Sequence, residues 1–538
     1  MQGASLPWAL HAYRSLKAPY MFKRRDLLKL AATSAAALTA NVHPVLVPGA
    51  RAQTPAASEG RPAPFDPGAI VDLARNLAKR PWRAPPAPLP DPFGNLNYDL
   101  YTGIKSRPEN LIWANENVGF ALEPLHRGFI YSAPMAISII ENGVERKLSY
   151  APDLFEFGKL SVPGNVGDIG FSGVRVLLPR DGGLNELAIF QGASFFRARA
   201  QGQNFGAVAR GLSIRTADPR GEETPFFRAM WIEKPTLAGN ALIIHALLES
   251  ESVAGAYRFT LRPGDATIID TECTIFARAN IDHYGIATMA GTYVFSPLDR
   301  RRDDIRPAAH EVHGLQMFNG KDEWLWRPVS NRETLQVSAF VDTNPHGFGF
   351  LQRERNPNLY LDDTQRWDMR PSLWIEPIGD WGAGEVTLVE IPSESEVNDN
   401  MVAYWRPKQP LLAGGEATFA YRQFWCWQPP NRPALAQATM SRSGRMGGGP
   451  QNIRRRRFLV EFNGDILGDP QRSPEIQTNI NATTGAISSV RTFLDRERKS
   501  LRVIFDMDAG SDVLSELRLL LESNGKPISE TWLYRWTP

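Results

Sequence analysis

The chain has 538 residues, 43% of them hydrophobic and 10% aromatic. That is enough apolar material for a large core and too much length for one ordinary domain, so two domains are expected. With 44 Gly and 42 Pro, and with apolar residues in short alternating runs rather than long 3.6-period stretches, an all-β protein is predicted.

At the N-terminus, "KRRDLLK" places Arg24 and Arg25 ahead of the mildly apolar "LLKLAATSAAALTANV", which ends near Ala50-Arg51-Ala52. This reads as a twin-arginine export signal over residues 1–52, too short and alanine-rich for a membrane span, followed by a flexible lead over 53–63. Met21 offers an alternative start, which puts residues 1–20 upstream of it. Cleavage after Ala52 removes seven Lys/Arg and one Asp, taking the formal net charge from +2 to −4. A mildly acidic exported chain has no electrostatic case for nucleic acid.

Asp66 and Pro67 open the clearest helix, with Ile70, Leu73, Ala74 and Leu77 on one face until Pro81 ends it. Next, "MAISIIENGVERKLSY" predicts a hairpin turning at Asn142-Gly143, where a primed turn needs two positive-φ residues. A second hairpin turns at Pro263-Gly264-Asp265, with Tyr257, Phe259 and Leu261 facing one side. Strands continue to about Trp427, giving a large domain over 64–427. Residues 428–450 lose periodicity and gain Pro, Gly and Ser, and are read as a linker.

Beyond it, Leu501, Val503, Phe505 and Met507 alternate with polar neighbours, and Trp532, Tyr534 and Trp536 share one face, which suits a small immunoglobulin-like sandwich over 451–538. The basic run Arg454 to Arg457 is read as a solvated strand edge. Cys273 and Cys426, both in strand-like text, are read as buried small hydrophobes, with a disulfide left open. They provide no zinc framework.

Three features carry candidate chemistry. His310-Glu311-Val312-His313 resembles a zinc-helix motif, but its histidines are three apart rather than four and lie in strand-like text, so no metal is expected. Trp324, Trp326, Trp367, Trp374, Trp381 and Trp405 fall within 82 residues; most suit a core, and two or three suit a cleft that stacks on sugar rings. The third is "PSESEVNDNMVAYW", residues 392–405, which crowds Glu394, Glu396, Asn398, Asp399 and Asn400 between two strands. Turn chemistry explains such a loop. The alternative is a pair of carboxylates for glycoside hydrolysis, one as acid for the leaving oxygen and one as base, although chain spacing does not give Asp399 a partner.

The blocks "FDPGAIVDLARNLAKRPW", "GASFFRARAQGQNFGAVARGLSI", "FFRAMWIEKP", "EWLWRP", "NPHGFGFLQRER" and "RPSLWIEPIGDWGAGEVTLVEIPSESEVNDNMVAYW" give the chain its likeness. It resembles the periplasmic glucan biosynthesis family OpgG/OpgD (MdoG/MdoD) along nearly its whole mature length. The resemblance implies a large galactose mutarotase-like β-sandwich with a long cleft, then a small immunoglobulin-like domain. It implies action on a β-1,2-linked glucan by anomer-inverting hydrolysis or transglycosylation in the periplasm, with no cofactor. The rival reading is a scaffold passing glucan from a membrane synthase to modifying enzymes.

By the same resemblance Asp399 matches the family's general acid. Glu311 takes the place of the family's distal aspartate base, one methylene longer, in "HEVHGL" where relatives read "HDSNGL". Glu396, Trp367, Arg370, Trp326 and Trp405 are carried over as substrate contacts. Trp367 departs from the family's tyrosine. The sequence predicts that Asp399 is held protonated by partial burial or by the charge of Glu396.

Overall fold

A computed structural model describes residues 64–537, apart from 86–87, 181, 237–238, 300–302, 447–453, 470–475 and 512–513. The export signal and the flexible lead therefore lie outside the described residues. No helix among those described is long and apolar enough to cross a membrane.

Two sheets of ten and fifteen strands dominate the molecule. Their inner faces alternate apolar residues at period two, and one cluster running from Trp113 to Trp425 fills the space between them. The predicted helix is Gly68–Ala78, with Pro67 just outside it and the Asp66 carboxylate accepting from Gly68 N at 2.9 Å. Ile70 and Ala74 pack on the large sheet, but Leu73 is exposed, so the apolar stripe is narrower than its spacing implied.

Both hairpins form. Glu141 pairs with Val144 across Asn142 and Gly143, at φ 52° and 75°. Arg262 pairs with Ile268 across the second turn, and Tyr257, Phe259 and Leu261 are buried as expected.

Three expectations for the C-terminal half need correction. Residues 437–445 of the expected linker form the strand Gln437–Arg445, paired with Arg455–Asn463. Arg455–Asn463 is also paired with Ser500–Asp508 on its other side, so the arginine run is not on a sheet edge. Cross-strand carboxylates pair with two of its arginines, Arg455 on Asp508 at 2.8 Å and Arg457 on Asp506 at 2.7 Å.

The small sandwich is also not a separate body. Its strand Thr531–Trp536 pairs in parallel with Trp324–Pro328, making the fifteen-stranded sheet continuous across both domains. Trp532, Tyr534 and Trp536 point into the core shared at this junction. Fully buried Glu530 meets Arg353 at 2.5 Å, Ala438 N at 2.8 Å and Gln316 Nε2 at 3.1 Å. Cys273 and Cys426 are buried and unpaired.

Candidate active site around Asp399

The acidic loop connects the strands Ala383–Glu390 and Met401–Pro407 of the ten-stranded sheet. Its two asparagines fix it. The Asn400 amide imitates a strand neighbour, accepting from Tyr293 N at 2.8 Å and donating to Tyr293 O at 2.9 Å and Ile391 O at 3.0 Å. Asn398 donates from Nδ2 to Ser393 Oγ at 3.0 Å, and its carbonyl accepts from Thr292 Oγ1 at 3.0 Å. Turn chemistry and site building are thus the same residues at work.

Asp399, held between them, lines a cavity of about 100 Å³ together with Tyr131, Gln191, Phe195, Arg197 and Phe226. Phe195 and Arg197 come from the strand Phe195–Ala198, and Phe226 opens the strand Phe226–Glu233. Burial pulls the Arg197 guanidinium below its ordinary range, and the nearby charges of Asp399 and Glu311 offset that pull.

Glu311 is not among the residues that line this cavity. It is 5% exposed, with Oε1 accepting from Thr292 N at 3.1 Å and Oε2 3.5 Å from Arg370 Nη1. Arg370 is itself fixed on Phe205 O at 2.5 Å and on Gln365 O. A side chain at Gly291 would come 2.6 Å from Val312 Cγ2 and 3.1 Å from Glu311 Oε1, so this glycine makes room for the carboxylate.

Burial pushes the Glu311 carboxyl up to about 7; Arg370 opposes the rise and the Asp399 charge adds to it. Thr292 therefore touches both segments, through its amide on Glu311 and its hydroxyl on the loop carrying Asp399. Strand Tyr284–Gly291 delivers it there.

Several predicted contacts are placed elsewhere. Glu396 pairs with Arg306, which also holds Asp362 at 2.6 Å and Asp304 at 2.9 Å. One guanidinium thus serves three carboxylates, Glu396 among them, and the carboxyl that interacts electrostatically with Asp399 is Glu311.

The three tryptophans expected as sugar contacts are buried. Trp405 packs in the main core beside Trp381, Trp326 lies under the Arg353 guanidinium at 3.5 Å, and Trp367 donates to Asp362 and sits beneath Arg370. Trp324, Trp374 and Trp381 are core residues as well. Arg370 contacts Glu311, not the cavity. His310 and His313 stack at 5.2 Å, and burial lowers both, His313 to about 4, so they are neutral core rings.

Sequence reasoning passed over Tyr131, Gln191, Phe195, Arg197, Phe226 and Thr292. The strand pattern pointed away from one of them: in "FFRARA" Arg197 falls on the side of Phe195 and Arg199, opposite the core-facing Phe196 and Ala198, and only the structure shows it buried.

Comparison with known proteins adds the family. The chain is 42% identical over 481 residues to Glucans biosynthesis protein G of Vibrio cholerae, covering 88% of this chain and 87% of that one. It is 41% identical to the protein of the same name from Rhodopseudomonas palustris, over 89% of this chain and 94% of that one. For the Bradyrhizobium diazoefficiens protein the identity is 42%, over 90% and 95% of the two chains. A solved protein of Synechocystis, 7% identical with a TM-score of 0.13, covers 46% of this chain and 72% of its own, and carries no argument about the fold. The family model described as periplasmic glucan biosynthesis protein, MdoG, matches residues 65–536, from the first helix to the last strand, and the chain belongs to that family.

Proposed function

We propose that the mature protein works in the periplasm on a β-1,2-linked glucan backbone, with Asp399 as general acid in an anomer-inverting cleavage or transfer. The carrying observation is Asp399 in the wall of an aromatic-lined cavity, in electrostatic contact with one buried carboxyl, Glu311, and two buried guanidinium groups, Arg197 and Arg370. Inverting glycosidases need two carboxyls in distinct environments, one to protonate the departing oxygen and one to take the proton of the incoming nucleophile. Tyr131, Phe195 and Phe226 offer the apolar faces that pack against pyranose rings.

Glu311, as the base, acts at a distance because it does not reach the cavity wall. Activation of water through such a relay depends on placement, and a glucan hydroxyl seated in the cavity competes with water for the same anomeric carbon. Transglycosylation is the form of the reaction this arrangement favours. The twin-arginine signal, read at the sequence level, supplies the route to the periplasm.

The deep placement of Glu311 also favours a second reading, a glucan-binding protein that passes the polymer between a membrane synthase and modifying enzymes. One experiment separates the two: linear β-1,2-glucan is incubated with the mature protein and with Asp399→Asn, following anomeric configuration by NMR and product size by chromatography. The enzymatic reading expects inverted or transferred products and a loss of about 10²–10⁴-fold in the variant. Unchanged glucan in both, with retained affinity, overturns it in favour of the scaffold.

A further inference from the structure

The loop bearing Asp399 is clamped where it leaves the sheet, and the clamp is segment 327–332. Buried Glu390, the last residue of the strand Ala383–Glu390, accepts from Ser330 N at 2.6 Å and from Arg327 Nη2 at 3.0 Å. Asn331 takes Ser393 by both backbone groups, accepting from its amide at 3.1 Å and donating to its carbonyl at 2.7 Å. A side-chain amide paired in this way stands in for a strand neighbour and fixes the direction of the chain entering the loop. Ser393 passes the constraint on, its Oγ accepting from Ser395 N at 3.2 Å and from Asn398 Nδ2 at 3.0 Å, one residue short of Asp399.

Asn331 is itself seated by Asp299. That buried carboxylate accepts from Asn331 N at 2.9 Å through Oδ2 and from the Tyr293 hydroxyl at 2.6 Å through Oδ1. Tyr293 in turn gives its backbone to Asn400. One carboxylate therefore braces Ser393 through Asn331 and Asn400 through Tyr293, on either side of Asp399. Burial raises the Asp299 carboxyl, and the Arg332 charge and these two hydrogen bonds oppose the rise.

Arg332, next in the chain to Asn331, is buried and donates through Nη2 to the hydroxyl of Tyr534, in the strand Thr531–Trp536 of the C-terminal lobe. Tyr534 is fully buried, stacked on Trp532 at 5.6 Å and edge-on to Phe458 at 5.4 Å, so the oxygen it offers has a fixed place.

We infer that Asn331, seated by Asp299 and flanked by the bond from Arg332 to Tyr534, is a positioning residue that sets where the Asp399 carboxyl stands in its cavity. The inference rests on the general-acid reading of Asp399 above. Asn331 is not among the residues that line the cavity, so it acts through the loop and not on the sugar. A general acid must lie within hydrogen-bond reach of the departing oxygen, and a small misplacement costs rate more than binding.

Nearness does not establish coupling, so the test is a double-mutant cycle. On linear β-1,2-glucan, kcat and KM are measured for Asn331→Ala and Tyr534→Phe, each alone and each combined with Asp399→Asn. Beside intact Asp399, Asn331→Ala should lower kcat by about tenfold or more and Tyr534→Phe by about threefold, with KM moving less than about twofold. Combined with Asp399→Asn, the same substitutions should change the residual rate by less than about twofold, because the group they position is gone. Unchanged kcat, a rise in KM alone, or losses by the same factor in both backgrounds overturn the positioning role and leave the enzyme reading standing. Tyr534→Phe removes one oxygen and keeps the ring, and it decides the matter if Asn331→Ala fails to fold. Wild type that leaves the glucan unchanged defeats the general-acid reading itself, and the inference with it.

Discussion

Replacing Glu311 with Gln tests the electrostatic core of the site without touching its shape. The side chain keeps its length and its acceptor for Thr292 N, and loses only its charge. Folding raises the Glu311 carboxyl from 4.5 to about 7, chiefly by burial, against the opposing pull of Arg370 and Arg197 and with the support of Asp399.

A raised carboxyl means the folded protein binds a proton the unfolded chain has already released. The stabilisation is therefore complete below about pH 4.5 and is lost as pH rises to about 7, with a total near 3 kcal/mol at roughly 1.4 kcal/mol per pH unit. Urea unfolding of wild type and Glu311→Gln at half-unit steps from pH 4.5 to 8.5 isolates this contribution. The difference in unfolding free energy should swing by about 3 kcal/mol in favour of Gln as pH rises, and level off above about 8. Parallel profiles for wild type and Glu311→Gln would refute the reasoning. In activity assays the ionised base implies a rate that climbs with pH through about 7.

Thr292→Val removes the hydroxyl donated to Asn398 O while keeping the amide on Glu311. Steady-state kinetics should show kcat down by about tenfold or more with KM little moved, Thr292→Ser restoring the rate, and stability falling by only about 1 kcal/mol. Glu530→Gln strips the charge that holds buried Arg353, and chemical denaturation should register a loss of about 3–5 kcal/mol. Gly192→Ala puts a methyl against the Tyr131 ring at positive φ; calorimetry should show a loss of about 1 kcal/mol or more, with weaker glucan binding by titration.

Much of this architecture was legible because period-two alternation and turn residues are local. The hairpin at Asn142-Gly143 and the buried row Leu501, Val503, Phe505 and Met507 follow from neighbours a few residues apart. What escaped is non-local. No spacing reveals that Thr531–Trp536 adds to a strand two hundred residues earlier, or that Glu396 turns toward Arg306.

The tryptophans misled for a related reason. A ring that suits a sugar face also suits a sandwich core, and only packing decides between them. The loop at Asp399 was found from its density of carboxylates and amides, while the groups that complete its cavity come from residues 131, 191–197 and 226, far away in the chain.

The shared sheet has a mechanical consequence. Trp324–Pro328 bridges Thr531–Trp536 on one side and Gly314–Phe318 on the other, and the latter strand follows directly from the turn bearing Glu311. Clipping the tail off would leave a raw hydrogen-bonding margin only two strands from the buried acid. A load on the C-terminal lobe therefore reaches the turn at Glu311 through continuous sheet rather than through a hinge.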